Sequence, residues 1–245
     1  MALDGPHFYD EPSVFATYRM HRARPQSPNR AMEEPVLLEL IGAPVGLRVV
    51  DLGCGDAELG RRLLEAGCQS YVGVDGSGNM VADAELQLAG SPGVVRRGRI
   101  EDATFPLGSV DLVVSRMALH YVEDLGAVLA AAYDWLAPRG RLVFSVEHPV
   151  ITSSDTGWEG KGRRGSWIVD DYFDTGWRET TWMGGQVRKY HRTLEDYVGL
   201  VQSAGFRLDA LREAHPRRER FVTEEEYRRR CRIPLILLLA GTVTP

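Results

Sequence analysis

From Leu47 to Glu147 the chain alternates two hydrophobic rhythms. Short apolar runs read as strands: LRVVDL (47–52), SYVGVD (70–75), the weaker VVRRGRI (94–100), VDLVVSR (110–116) and RLVFSVE (141–147). Between them lie stretches with helical spacing: AELGRRLLEAG (57–67), closed by Gly67, SGNMVADAELQLAG (77–90), and VEDLGAVLAAAYDWLAPRG (122–140). The last puts Leu125, Val128, Leu129, Ala132 and Leu136 on one face. Continuous apolar strands that alternate with helices predict a parallel sheet covered on both faces. The rhythm then breaks. Pro149 to Arg192 has no helical period and holds Trp158, Trp167, Trp177, Trp182, Tyr172, Phe173 and Tyr190. A segment of that length is expected to be a lid or binding element. The pattern resumes with a helix TLEDYVGLVQSAG (193–205), a strand FRLDALREA (206–214), a short helix TEEEYRRR (223–230) and a strand IPLILLLAGT (233–242). One or two helices are expected before the sheet.

Composition narrows the class. A chain of 245 residues, 44% hydrophobic, suits one domain with a sizeable core. The net charge of −5 gives no global basic field for nucleic acid. Two lysines, Lys161 and Lys189, stand among 29 basic residues. This arginine bias reads as the codon usage of a GC-rich genome and favours a bacterium with rich secondary metabolism. Cys54, Cys68 and Cys231 are scattered, which speaks against a disulfide framework or a zinc site. The opening MALDGPHFYDEPS has no basic n-region or apolar h-region, and the run from Pro234 to Ala240 is too short to span a bilayer. A cytoplasmic location is expected, with no membrane partner.

The stretch VVDLGCGDAELG (49–60) carries the first chemistry. A dinucleotide loop would read G-x-G-x-x-G, but Glu58 stands at the third glycine position and Asp51 precedes the loop. Phosphates favour helix N-termini and backbone N–H groups, and a neighbouring carboxylate opposes them. Asp51 instead fits a ligand with an ammonium or a sulfonium. Asp75, twenty residues past Gly55 at the end of the second strand, has the spacing at which an acid takes ribose hydroxyls. A ribose, a cationic group and no obligatory phosphate together describe S-adenosylmethionine.

These residues make Leu47–Pro149 resemble the class I S-adenosylmethionine-dependent methyltransferases. VVDLGCGDAELG stands at that family's D/E-x-G-x-G-x-G/A loop, YVGVDGSGNM at its ribose-binding strand end, and RGRIEDATFP at its adenine-binding turn. VDLVVSRMALHYVED matches its fourth strand and the helix after it. LAPRGRLVFSVEHP matches the turn and fifth strand, with Arg139 replacing the turn's first glycine. VEHP, YHRTLEDY and an early Tyr18-x-Met20-x-Arg22 resemble a bacterial small-molecule branch. The resemblance implies an α/β fold: a Rossmann-like, doubly wound, seven-stranded, mostly parallel sheet with the last strand antiparallel. It would form a single domain with an N-terminal helical cap (1–45), a cofactor-binding core (46–148), an aromatic-rich lid insertion (149–192) and a C-terminal part of the sheet (193–245). It implies that Asp51, Gly53, Cys54 and Gly55 surround the methionine moiety. Asp75 would bind the ribose, with Gly76 and Met80 around the nucleoside. Ile100 with Glu101 or Asp102 would meet the adenine, with Arg99 where many relatives carry Asp. Ser115 would face the sulfonium, and Tyr18 and Arg22 would close over the cofactor.

Methyl transfer from a sulfonium is an in-line displacement that needs alignment and dryness. Ligands of open α/β sheets lie beyond the carboxyl ends of the strands, which puts His120, Tyr121, Glu147 and His148 in reach. His120 reads as a base or substrate contact, or as a packing histidine. His148, before Pro149, reads as a catalytic contact or as a shaper of the exit into the lid. Glu147 reads as a partner for a cationic substrate or for backbone donors. Tyr18 reads as catalytic, cofactor-holding or packing. Trp167, Tyr172, Trp182 and His191 are candidate substrate contacts from the lid; a structural hydrogen bond is the alternative for His191, and sheet cover or a dimer contact for the tryptophans. Cys54 reads as a small buried filler. HPRRER and YRRRCR read as a solvated helix whose acids come first and arginines last, not as a nucleic-acid patch. No metal-ligand spacing is seen, and metal-independent activity is expected. The expected function is methyl transfer to a small aromatic or heteroaromatic metabolite of natural-product type, at N, O or an indole-like carbon, leaving S-adenosylhomocysteine. A non-catalytic cofactor-binding protein and a nicotinamide-dependent oxidoreductase are the alternatives. SRMALH after the fourth strand lacks the D/N-P-P-Y/F of base-methylating enzymes. Whether the chain is a monomer or a homo-oligomer is left open.

Overall fold

The computed structural model describes residues 2–22, 24–155, 157–159 and 165–244. Its helices are α1 (Gly5–Asp10), α2 (Pro12–Arg22), α3 (Glu34–Ile41), α4 (Glu58–Glu65), α5 (Gly78–Leu88), α6 (Leu125–Trp135), α7 (Pro149–Thr152), α8 (Leu194–Ser203) and α9 (Glu224–Arg230). Its strands are β1 (Arg48–Leu52), β2 (Ser70–Asp75), β3 (Val94–Arg97), β4 (Val110–Arg116), β5 (Leu136–Glu147), β6 (Trp158–Glu159), β7 (Ser166–Trp167), β8 (Gly176–Trp182), β9 (Gly185–His191), β10 (Phe206–Glu213) and β11 (Ile236–Val243). Seven strands form one sheet in the order β10-β11-β5-β4-β1-β2-β3. All neighbours from β3 to β5 run parallel, and β11 is antiparallel to both β5 and β10. Strand order therefore reverses between β1 and β4, where the chain crosses from one half of the sheet to the other. This is the point at which doubly wound sheets open a ligand crevice.

Two apolar layers hold the sheet. On one face Val49, Leu59, Leu63, Tyr71, Leu112 and Val143 pack with Leu37 and Ile41 of α3. On the other Val50, Leu52, Val113, Leu129, Phe144 and Leu237 pack with Tyr197 and Val201 of α8. Alternate residues of β1 and β4 thus go to opposite layers, as the two-residue pleat requires. Helix starts are capped as their sequences dictate. Ser77 accepts from Met80 N, Asp124 from Ala127 N, and Thr193 with Asp196 completes a reciprocal capping box.

Proline moves two boundaries from their periodicity-based positions. The helical face of 122–140 ends at Trp135, and β5 begins at Leu136, already paired with Val110. Pro138 lacks an N–H and disfavours the helical region for Ala137, so the last predicted turn becomes strand. The final strand begins at Ile236 rather than Ile233, beyond Pro234. Within the expected lid segment the described residues form one helical turn, the antiparallel pair β6–β7 and the hairpin β8–β9. Leu3 bridges to Val187, tying the start of the chain to the β8–β9 hairpin.

One glycine sets the depth of the sheet's cover. A Cβ on Gly60 of α4 would lie 2.2 Å from Tyr71 Cζ. The Gly60→Ala variant gains helix propensity but must displace a fully buried ring. It is expected to lose roughly 1–3 kcal/mol of stability, a Tm fall of about 3–10 °C, measured by thermal unfolding.

Candidate active site

The carboxyl ends of β1, β2, β4 and β5, the helices α1 and α2, and the hairpin β8–β9 enclose a cavity of about 250 Å³. Its floor is the glycine loop. Gly53 has φ +73°, and a Cβ there would lie 2.3 Å from that of Ala118, so the loop can pass under the β4 segment only with glycine. Gly53 N and Cys54 N donate to Val74 O at 2.8 and 3.1 Å. Gly55 N donates to Asp75 Oδ2 at 2.8 Å, and Ser77 N to Asp75 Oδ1 at 2.9 Å. Each Asp75 oxygen thereby keeps a lone pair for a ribose hydroxyl.

Asp51 lies beneath this loop, 1% exposed. Tyr71 Oη donates to its Oδ2 at 2.8 Å, while its Oδ1 has no partner. Burial pushes the carboxyl up to about 7, against the hydrogen bond from Tyr71 and the attraction of Arg116 and Arg22. Asp51 is not itself a lining residue of the cavity; its unpartnered oxygen lies under the glycine loop, where a cationic donor would satisfy it. The helix behind the loop is closed to phosphate: Asp56 Oδ1 accepts Glu58 N at 3.2 Å, and Glu58 occupies the first turn of α4. This disfavours a dinucleotide.

Tyr18, Arg22, Gly53, Gly55, Asp75, Gly76, Met80, Ile100, Glu101, His120, Tyr121 and Trp182, all singled out from the sequence, line this cavity. Arg22 Nη1 donates to Tyr18 Oη at 3.2 Å and its Nε lies 4.0 Å from Asp56. Other candidates are placed elsewhere. Cys54 is buried with its thiol pushed well above its ordinary range by desolvation, as suits a filler. Asp102 lies on the turn after Ile100 but outside the lining. Ser115 spends its hydroxyl on Leu52 O at 2.6 Å, tying β4 to β1. His148 caps α7 by accepting from Val150 N at 3.1 Å and faces Glu213 at 3.0 Å. His191 bridges Thr152 Oγ1 at 2.8 Å and Tyr172 O at 2.9 Å, and Tyr172 Oη accepts from Leu194 N. Trp167 donates to Val150 O at 2.8 Å and meets Trp158 edge to face. These four lie outside the cavity lining: Trp167 and His191 brace the lid segment internally, while Tyr172 reaches Leu194 and His148 reaches Glu213.

His120 is placed at the cavity but not as a base. Burial pulls its pKa down to about 4, and its Nδ1 accepts the backbone N–H of Glu147 at 3.4 Å. The neutral ring therefore carries its proton on Nε2 and is a donor.

Two supports behind the lining, Asp10 and Glu33, and two lining residues, Pro6 and Arg116, have no local sequence signal. Asp10 accepts from Ser77 Oγ at 2.6 Å and Asn79 N at 3.2 Å, pinning α1 over the start of α5. Pro6 sits against Gly76. Arg116 is held by Glu33 at 3.2 and 2.6 Å, and Glu33 also accepts from Ser145 at 2.9 Å. Only the Asp4 and Asp10 turn chemistry flanking α1 could have hinted at the first of these.

A doubly wound sheet with this cradle at its switch point defines an enzyme that binds a cationic, ribose-bearing cofactor, and its residues fit S-adenosylmethionine. Residues 50–144 match a family model described as a methyltransferase domain. The chain is 30% identical over 215 residues to an uncharacterized protein of Haemophilus influenzae, covering 84% of this chain and 85% of that one. The crystal structure of an S-adenosylmethionine-dependent methyltransferase from Mesorhizobium loti superimposes with a TM-score of 0.80 at 28% identity, covering 91% of this chain and 99% of that chain. The trans-aconitate 2-methyltransferase of Acidovorax ebreus is 32% identical over 140 residues, which is 57% of this chain and 49% of that protein. The chain belongs to the class I S-adenosylmethionine-dependent methyltransferases, and S-adenosylmethionine is its cofactor.

The Asp51 carboxyl, about 7 when buried against 3.8 ordinarily, makes a pH-dependent prediction. The free native state keeps its proton where an unfolded chain has released it. Apo stability therefore falls as pH rises through that window, while affinity for an ammonium-bearing ligand rises towards and past about 7. Calorimetry is expected to show S-adenosylhomocysteine binding more tightly at mildly alkaline than at mildly acidic pH. Asp51→Asn is expected to flatten that dependence and weaken alkaline binding by about tenfold or more.

Proposed function

We propose that this enzyme methylates a small, aromatic or heteroaromatic metabolite enclosed in the cavity. The observation that carries this reading is that one cleft is shared by the cofactor cradle and a set of aromatic rings. The cofactor cradle and the rings of Tyr9, Tyr18, Tyr121 and Trp182 line one space of about 250 Å³, covered by α1 and α2 and by the β8–β9 hairpin. Such a space suits a flat ring that can stack. In this reading Asp51, Gly53, Gly55 and Arg22 hold the methionine moiety, Asp75 the ribose, and Met80, Ile100 and Glu101 the base. The bound cofactor supplies an electrophilic methyl group. The chain's own residues align the acceptor behind it and exclude water. His120 contributes a hydrogen bond from Nε2 to the acceptor, and Tyr18 and Tyr121 contribute ring faces. The trans-aconitate enzyme's name likewise points to a small acceptor.

Neither nucleic acid nor a membrane is part of this reading. The arginines of α9 follow three glutamates along one short helix, and Arg228 pairs with Glu224 at 2.7 Å. Among the described residues no helix is long and apolar enough to cross a membrane, and no group of three His, Cys, Asp or Glu side chains could hold a metal ion. We assign the enzyme to the cytoplasm.

Incubating the protein with methyl-labelled S-adenosylmethionine and a bacterial lysate tests the acceptor class. Label is expected in the small-molecule fraction, sensitive to Asp75→Ala. Label confined to protein or nucleic acid would overturn the reading.

A further inference from the structure

We propose that the acceptor is an amine whose nitrogen becomes cationic on methylation, and that Glu147 is the residue that binds it. This rests on the cavity being the site of methyl transfer. Glu147 closes the carboxyl end of β5 and lines the cavity beside His120, Tyr121 and Trp182. Lys189 Nζ of the hairpin engages its Oε1 at 2.7 Å, while its Oε2 accepts no hydrogen bond among the described residues. That pair keeps the carboxylate ionised without leaving it a lone buried charge. Around it Tyr9 meets Tyr18 at 5.0 Å, Tyr121 at 6.3 Å and Trp182 at 6.2 Å between ring centroids. An open carboxylate oxygen beside aromatic rings attracts positive charge.

The cations of the cavity are committed elsewhere. Arg22 bonds to Tyr18 and leaves its Nε unpartnered, which in the proposed reading serves the carboxylate of the methionine moiety, and Arg116 is held by Glu33. Arg99 pairs with Asp4 and Glu101 at the turn of Ile100. Lys189 is buried, lies 5.2 Å from the centroid of Trp182 and is outside the lining. His120 is neutral. A carboxylate or phenolate acceptor would therefore meet a like charge with no uncommitted cation beside it.

The chemistry agrees with this charge distribution. The amine, held near neutral pH as an ammonium ion, first releases one proton to solvent, and the lone pair of the resulting neutral amine forms the new N–C bond to the methyl carbon. The C–S bond breaks with its electron pair going to sulfur. Positive charge leaves the sulfonium and appears on nitrogen, and the product departs as an ammonium ion. A hydrogen bond from the acceptor N–H to Glu147 Oε2 strengthens as that charge grows, so it stabilises the transition state more than the ground state.

The test uses the full-length protein saturated with S-adenosylhomocysteine and calorimetric titration of two matched pairs. These are tryptamine against indole-3-propionate and phenethylamine against 3-phenylpropionate. The amine of at least one pair is expected to bind about tenfold more tightly than its acid, and Glu147→Gln is expected to bring that ratio close to one. The wild-type comparison needs no variant, and Glu147→Asp, which keeps the charge, is expected to retain part of the preference. Preference for the acids, equal binding, no binding by either class, or a ratio unchanged in Glu147→Gln would overturn the proposal. If S-adenosylhomocysteine itself does not bind, the reading of the cavity fails first, a result distinct from all of these.

Discussion

A buried carboxylate with one partner governs the architecture of this site. Asp51 is the penultimate residue of β1, where water barely reaches it and where Tyr71 supplies a single hydrogen bond. Leaving the second oxygen unmatched costs stability of about 1–3 kcal/mol, and the surrounding residues accept that cost. The absence of a side chain on Gly60 lets Tyr71 sit where its hydroxyl reaches Asp51. Arg22 and Arg116 come near enough to act on the carboxylate without bonding to it. The fold is thus strained electrostatically in one place, and in the proposed reading an ammonium group of the ligand would relieve that strain.

The same acids decide what the site refuses. Helix N-termini draw phosphate because their N–H groups are free. Here Asp56 has taken that role at α4, and Asp51 and Asp75 flank the loop. A pyrophosphate would compete with Asp56 for the N–H of Glu58 and face several like charges.

Much of this was legible in the chain itself. The strands of the sheet and the order of cofactor motifs follow from apolar runs and from glycines that only one backbone conformation accommodates. The glycine loop, Asp75 and the turn of Ile100 converge because each ends a strand, and strand ends of a parallel sheet lie on one edge. What escaped was long-range. Asp10 on the start of α5, Glu33 under Arg116 and Lys189 on Glu147 join residues 67, 83 and 42 positions apart. Such pairs leave no periodic trace. The lid was readable as an interruption but not as two antiparallel pairs, because β6 and β7 are two residues each and β8–β9 carries few apolar alternations. His120 misled for a related reason. Its residue type suggests a base, and only its burial and the N–H of Glu147 make it a donor.

The hairpin is more than a cover. Leu3 N donates to Gln186 O and Arg188 N to Leu3 O, so the chain's first strand-like residues are stitched to β9. From there α1 reaches Gly76 and α5 on the cofactor side, while β9 sends Lys189 to Glu147 on the acceptor side. One connected element therefore touches both halves of the cavity. Any displacement of this element would break the buried Lys189–Glu147 pair or the Asp10 contacts with α5. An insertion between β5 and α8 is in this way part of the cavity's wall, through Trp182, rather than an appendage to the sheet.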